Sequence, residues 1–165
     1  MKKFIKELIP YIEIILVVVL IRTFLVTPVM VSGDSMVPTL KNKEILLLNK
    51  INYVFNDIKR FDIVVIDLNK KEIIKRVIGL PGETLEYRDN MLYIDGHELD
   101  NKYNFDTEDF DLKSICNCDK IPEDKYLVLG DNRSVSADSR IIGLIDKKDI
   151  KGSVGFSLWP IRKVK

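Results

Sequence analysis

Two segments of this chain hold residues whose types and settings could do covalent chemistry together. One is Ser32-Gly33-Asp34-Ser35-Met36-Val37-Pro38-Thr39-Leu40, and the other is Lys75-Arg76-Val77-Ile78-Gly79-Leu80-Pro81-Gly82-Glu83. The single histidine, His97, sits in the polar turn Asp95-Gly96-His97-Glu98, so a serine–histidine arrangement has little to draw on. Serine attack with a lysine base is the remaining simple nucleophilic route. A free lysine, with a pKa of about 10.4, is a cation at neutral pH and no base. Desolvation favours its neutral form. On a strand, Lys75 shares a face with the branched aliphatics Ile73 and Val77. That pattern fits a buried base, and it also fits a lysine that snorkels to solvent. Around Ser35, Gly33 and Pro38 bracket a bent stretch that can expose the hydroxyl and aim main-chain N–H groups at an oxyanion. An ordinary Ser/Gly turn fits the same residues.

A third cluster runs from Gly130 through Asp131-Asn132-Arg133-Ser134-Val135-Ser136-Ala137-Asp138-Ser139 to Arg140, directly after the apolar run 126–129. Composition allows either a solvated loop or a hydrogen-bonded scaffold that orients a neighbouring base. No zinc or calcium pattern is present, Gly79-Leu80-Pro81-Gly82 has too few glycines to cradle a phosphate, and no cofactor is expected. Cys116 and Cys118 are separated by one residue, a spacing at which a disulfide is strained, and are expected as loop thiols outside the chemistry. With 26 basic against 25 acidic residues, no basic field argues for nucleic acid.

These residues have to be positioned by two kinds of element. The stretch 8–31 is nearly all apolar, broken by Pro10, Glu13, Arg22, Thr23, Thr27 and Pro28. As a helix, 5–25 would span about 30 Å, the thickness of a bilayer's hydrocarbon core. Lys2, Lys3 and Lys6 precede it, which predicts a cytoplasmic N-terminus and an extracytoplasmic remainder. A cleavable signal peptide is the alternative, but no small-x-small site follows. The organisation expected is therefore a cytoplasmic N-terminus (1–7), a membrane anchor (8–26) and a β-rich domain (27–165). Beyond the anchor, strand-like runs fall at 45–48, 61–68, 73–80, 84–88, 91–94, 125–130, 140–145 and 152–158. Asp89-Asn90 and Asp95-Gly96 mark two tight reversals. The fold class expected is mainly β, an antiparallel, barrel-like sheet domain. The acidic stretch within 100–120 is expected as an exposed loop. Trp159-Pro160 suits either a bilayer interface or a core.

In order and separation, the anchor, the Ser35 block, Arg60-Phe61-Asp62-Ile63-Val64-Val65, the Lys75 block and the Gly130–Arg140 block resemble bacterial type I signal peptidases. These are membrane-bound serine–lysine enzymes that remove signal peptides from exported proteins. The resemblance covers nearly the whole chain and is closest to the glycine-bearing, single-anchor subgroup. It implies Ser35 as nucleophile and Lys75 as general base, with Ser136 orienting the lysine. Asp138, Arg140, Asp131 and Arg133 would hold that loop. The substrate would add as a strand beside 29–31 and the lysine strand, with Val29, Val31, Met36, Leu40, Ile73 and Ile74 walling shallow pockets for small, Ala-like side chains. Gly33 stands where some members carry a serine that assists the oxyanion hole, which leaves the Ser35 backbone N–H. Implied partners are the signal peptides of secretory preproteins and the lipid bilayer, close to the export translocon. Two other readings have distinct marks. A self-cleaving repressor-type Ser–Lys protease would lack an anchor, and a catalytically silent membrane-tethered peptide-binding module would have lost Ser35 or Lys75.

Overall fold

The computed structural model describes residues 9–19, 25–69, 71–99, 103 and 105–164. Residues 9–19 are helical and exposed; the expected N-terminal segment 1–7 and anchor residues 8 and 20–24 lie outside the described residues, while at the expected anchor's end Leu25 is in a turn and Val26 already begins the first strand. No helix among the described residues is long and apolar enough to cross a membrane.

Twelve strands follow among the described residues: β1 (Val26–Met30), β2 (Ile45–Asn49), β3 (Ile63–Leu68), β4 (Lys71–Gly79), β5 (Leu85–Arg88), β6 (Met91–Ile94), β7 (His97–Glu98), β8 (Phe110–Asp111), β9 (Lys125–Leu129), β10 (Ile145–Asp146), β11 (Ile150–Trp159) and β12 (Ile161–Lys163). The main sheet has the order β1-β2-β11-β3-β4-β9-β10, with β12 added to β11. A second sheet has the order β7-β6-β5-β8. Every pairing is antiparallel, as the alternating runs and tight turns predict. Asp89 and Asn90, then Asp95 and Gly96, all take positive φ, the geometry of two-residue hairpin turns that match strand twist.

Alternation along β3 explains why the main sheet is covered on both faces. Ile63 and Val65 enter one apolar cluster with Met36, Leu40, Leu46 and Val154, while Val64 and Ile66 enter another with Val77, Val128 and Ile145. Burying each such aliphatic contributes about 1.5–3 kcal/mol. A third cluster, around Ile78, Leu85, Leu92 and Leu127, joins the two sheets. Pro28 has no N–H to give and is tolerated because β1 is an edge strand.

Two regions depart from the strand-and-loop expectation. Where 140–145 reads as one strand, Ser139–Ile142 is a helical turn and only Ile145–Asp146 is a strand. Asp138 explains this: its side chain caps the Arg140 N–H, and its carbonyl accepts the Ile141 and Ile142 N–H groups at 2.8 Å each. The acidic stretch is not simply an exposed loop. Phe110–Asp111 extends the second sheet, Leu112–Cys116 forms a helix capped by Asp111 and Ser114, and Thr107 and Leu112 are buried. Cys116 and Cys118 are joined in a disulfide, so the free-thiol reading is corrected; Asn117, in the left-handed region, reverses the chain between them. Trp159 is exposed rather than in the core.

Candidate active site

The Ser35 loop begins where β1 ends and is bent by Gly33 at φ +89°, a conformation costly for residues with a Cβ. Gly33 donates its N–H to Asn42 Oδ1 at 3.1 Å. Two turn bonds follow, Val37 N–H to the Asp34 carbonyl at 3.2 Å and Leu40 N–H to the Met36 carbonyl at 2.8 Å. They drop Met36 and Leu40 into the core and leave Ser35 half-buried above them.

Lys75 lies on β4 opposite Val64 of β3. Its residue exposure is 3%, so it does not snorkel. Lys75 Nζ donates a hydrogen bond to Ser35 Oγ at 2.7 Å. Burial pushes the Lys75 pKa below its ordinary value, while the carboxylates of Asp138 and Asp131 oppose part of that fall. The arrangement is a hydroxyl and a partly desolvated amine in direct contact.

The Gly130–Arg140 segment packs against the Ser35 loop. Asn132 donates its N–H to the Ser35 carbonyl at 3.0 Å and its side-chain amide to the Asp34 carbonyl at 3.2 Å. Asp138 accepts from the Gly130 N–H at 3.0 Å and holds Arg140 through both carboxylate oxygens, at 2.9 and 3.0 Å. Arg140 in turn donates to the Arg133 carbonyl at 2.6 Å. Arg133 donates Nε to the Gly130 carbonyl at 2.9 Å and also binds the Thr107 hydroxyl. The segment is therefore a hydrogen-bonded scaffold.

Ser136 is also buried, but its Oγ has no hydrogen-bond partner among the described residues. A buried hydroxyl left without a partner costs about 1–3 kcal/mol. A Cβ built on Gly130 would lie 2.2 Å from Ser136 Oγ and 2.5 Å from the Ser35 carbonyl oxygen, so only glycine fits between them.

Beside the pair is a groove of about 680 Å³. Val29, Val31, Met36, Ile73 and Ile74 line it. Leu40, expected as a wall, is instead fully buried beside Met36 in the core cluster. The groove runs between two strand edges. β1 pairs only with β2, and β4 pairs with β9 only from Arg76 onward, so among the described residues Lys71–Lys75 has one edge without a strand partner.

Sequence reading missed three supports. Arg76 is fully buried, grips Asp131 through two hydrogen bonds at 2.9 and 2.6 Å, and donates to Thr39 Oγ1 at 3.3 Å. Arg162 donates to the Thr39 carbonyl and to Glu44, both at 2.7 Å, so the end of the Ser35 loop is held by two arginines. Asn132 is the third. Arginine inside the apolar run 73–80 was the one available signal, because an unpaired charge is rarely buried there.

Comparison with known proteins gives the family. Residues 2–159 match the family described as signal peptidase, peptidase S26. The chain is 39% identical to signal peptidase IB of Staphylococcus aureus (strain COL), covering 100% of this chain and 95% of that protein. It is 38% identical to signal peptidase I of Bacillus caldolyticus, covering 93% of this chain and 91% of that one. A crystal structure of a signal peptidase I from Enterococcus faecalis V583 aligns with a TM-score of 0.55 at 38% identity, over 59% of this chain and 97% of the other. The chain belongs to the signal peptidase family, peptidase S26, and is a serine protease.

Proposed function

We propose that this chain removes signal peptides from secretory preproteins with a Ser35–Lys75 dyad, cutting after small, Ala-like residues. The observation that carries the reading is the 2.7 Å contact between Lys75 Nζ and Ser35 Oγ, with the lysine buried. A neutral amine at that position has a lone pair, and the same contact then carries the Ser35 proton to Lys75. Ser35 Oγ attacks the carbonyl carbon of the small residue. Lys75 returns the proton to the leaving amine, and the mature protein departs. Lys75 next takes a proton from water, whose oxygen attacks the acyl carbon, and returns that proton to Ser35 Oγ as the acyl–oxygen bond breaks and the signal peptide leaves.

The oxyanion is assigned to the Ser35 N–H, with Gly33 offering no side-chain donor. Ser136 Oγ, buried and without a partner, is assigned to orient Lys75 when it becomes an ammonium. Asp131, Arg133, Asp138 and Arg140 hold that loop through the hydrogen bonds described above. The substrate joins the open edges of β1 and β4 as an extended strand, its main chain giving affinity and the groove its preference for small side chains.

The organisation proposed is a cytoplasmic segment 1–7, a single membrane anchor from residue 8 that ends before β1, and an extracytoplasmic catalytic domain that begins with β1 at Val26. In support, residues 9–19 form a helix whose apolar side chains are all exposed, such as Ile12 and Ile15. A helix apolar on every side needs an apolar surrounding. Anchoring would hold the site beside the bilayer and the export channel, where signal-peptide ends emerge, and so raise effective concentration.

The test is cleavage of a secretory precursor by the full chain in detergent. Ser35→Ala and Lys75→Ala should each abolish it while far-ultraviolet dichroism stays unchanged. Cleavage surviving both substitutions would refute the dyad. A self-cleaving repressor-type enzyme would instead cut only its own chain, and a silent peptide-binding module would bind the precursor without cutting it.

A further inference from the structure

Cys116 and Cys118 are the only cysteines in the chain, they are joined to each other, and the dyad makes no use of them. Both are half-buried, and the exposed Asn117 reverses the chain between them. Cys118 opens onto a depression of about 260 Å³ that Thr84, Tyr93, Gly96, Lys113 and Asp119 also line. Cys116 ends the helix Leu112–Cys116, with its Sγ 3.1 Å from the Leu112 carbonyl oxygen.

The segment has other means of staying in place. Leu112 and Ile121, on either side of the pair, are buried in the cluster that joins the two sheets. Ile121 accepts from the Gly82 N–H and donates to the Glu83 carbonyl, at 2.8 Å each. Asp111 and Ser114 cap the helix. A cross-link that encloses one residue also removes little entropy from the unfolded chain, because that gain grows with loop length. Accessible disulfides are the ones that exchange readily with outside thiols.

We infer that Cys116–Cys118 is a thiol-exchange site of the folded protein, separate from the dyad, that takes a dithiol as its substrate. One thiolate of the dithiol attacks Cys118 Sγ, and the Cys116–Cys118 bond breaks with Cys116 leaving as a thiolate. Attack falls on Cys118 because it faces the depression, whereas Cys116 Sγ lies against a carbonyl oxygen whose partial negative charge turns away an incoming thiolate. The second thiolate of the dithiol then attacks its partner sulfur in the mixed disulfide and releases Cys118. The dithiol loses two electrons and closes its own disulfide. The cysteine pair gains those electrons, and each of its thiolates takes a proton from water. The Cys116 thiol so formed donates to the Leu112 carbonyl already beside it.

The experiment uses the full chain in neutral detergent, with dithiothreitol as the probe. Thiols released over time are alkylated with iodoacetamide and counted by mass, in buffer and in unfolding urea. The native chain should open within about 10-fold of the unfolded rate, and faster as pH rises and the thiolate fraction of the probe grows. Ser35→Ala should open at the parental rate, and far-ultraviolet dichroism should be unchanged on reduction. Among single variants, Cys116→Ser should react with an aromatic disulfide through Cys118 about 10-fold faster, or more, than Cys118→Ser reacts through Cys116. A larger gap between native and unfolded rates, or dichroism lost on reduction, would make the bond a structural staple and overturn the exchange site. Equal or reversed reactivity of the two single variants would overturn attack at Cys118. Slower opening of Ser35→Ala would overturn the separation from the dyad.

Discussion

Arg76 and Asp131 form a two-pronged ion pair in which neither side chain has any exposure to solvent. Asp131 precedes Asn132, whose N–H holds the Ser35 carbonyl, so the pair fixes the register between β4 and the loop behind Ser35. Removing one partner of a buried pair strands the other charge, at a cost of about 3–5 kcal/mol. Asp131→Ala should therefore lower the denaturation midpoint sharply. Replacing both residues by aliphatics of similar volume should restore much of the loss in stability. Urea unfolding of the three variants checks this, and a double variant as unstable as Asp131→Ala would contradict it.

Lys75 should cost the fold stability. Burial lowers its pKa in the folded chain, so below that value the folded state carries a desolvated ammonium that the unfolded chain keeps in water. Above the unfolded value of about 10.4 the amine is neutral in both states and the penalty is gone. Between the two values the unfolded chain binds more protons, and stability rises with pH. Lys75→Met should accordingly melt above the parent at neutral pH, with the difference narrowing as pH rises through that window. Thermal melts from pH 6 to 10 measure it, and a Met variant less stable at neutral pH would be the contrary result.

Much of this architecture was legible because its signals are local. Branched runs mark β2 to β6, and paired Asx and Gly residues mark the reversals of the second sheet. The Ser35 and Lys75 segments stood out because one histidine left few alternatives, and the fold brings the two side chains into contact. What escaped depends on contacts between distant parts of the chain. Asn132 reads as loop composition until it is seen holding the Ser35 carbonyl, and Arg162 looks like tail charge until it meets Thr39 and Glu44. At 140–145, the β-branched pattern lost to the cap formed by Asp138. The disulfide was misjudged because spacing alone does not reveal that Asn117 turns through the left-handed region.

Gly130→Ala tests the fit between the two loops. The added methyl would overlap Ser136 Oγ and the Ser35 carbonyl oxygen, and neither is the end of a long, yielding side chain. Relief requires the Ser35 loop or the Ser136 loop to shift. A displacement of about 1 Å at a reacting centre can cost on the order of 100-fold in rate. Precursor cleavage should fall by at least that factor in kcat, with KM for the groove-bound peptide changing little because β1 and β4 are untouched. Near-parental kcat would show that the loops accommodate a methyl group.

Asp138→Asn separates the charge of Asp138 from its capping role. Asparagine caps a helical turn nearly as well as aspartate, so the Ser139–Ile142 turn should persist. What disappears is a carboxylate that raises the Lys75 pKa against the larger lowering effect of burial. In the proposed mechanism the amine must be neutral, so kcat/KM of the free enzyme should climb with pH through the folded Lys75 value, which lies below the ordinary 10.5. Without the Asp138 charge, the ammonium gives up its proton more readily and the acid limb of that profile should move to lower pH. Weakening of the Arg140 anchor would reduce the plateau, an effect on height rather than on the position of the limb. A pH profile from 5 to 10 on the parent and the Asn variant resolves the two effects. A limb that stays in place or moves upward would show that Asp138 does not act electrostatically on Lys75.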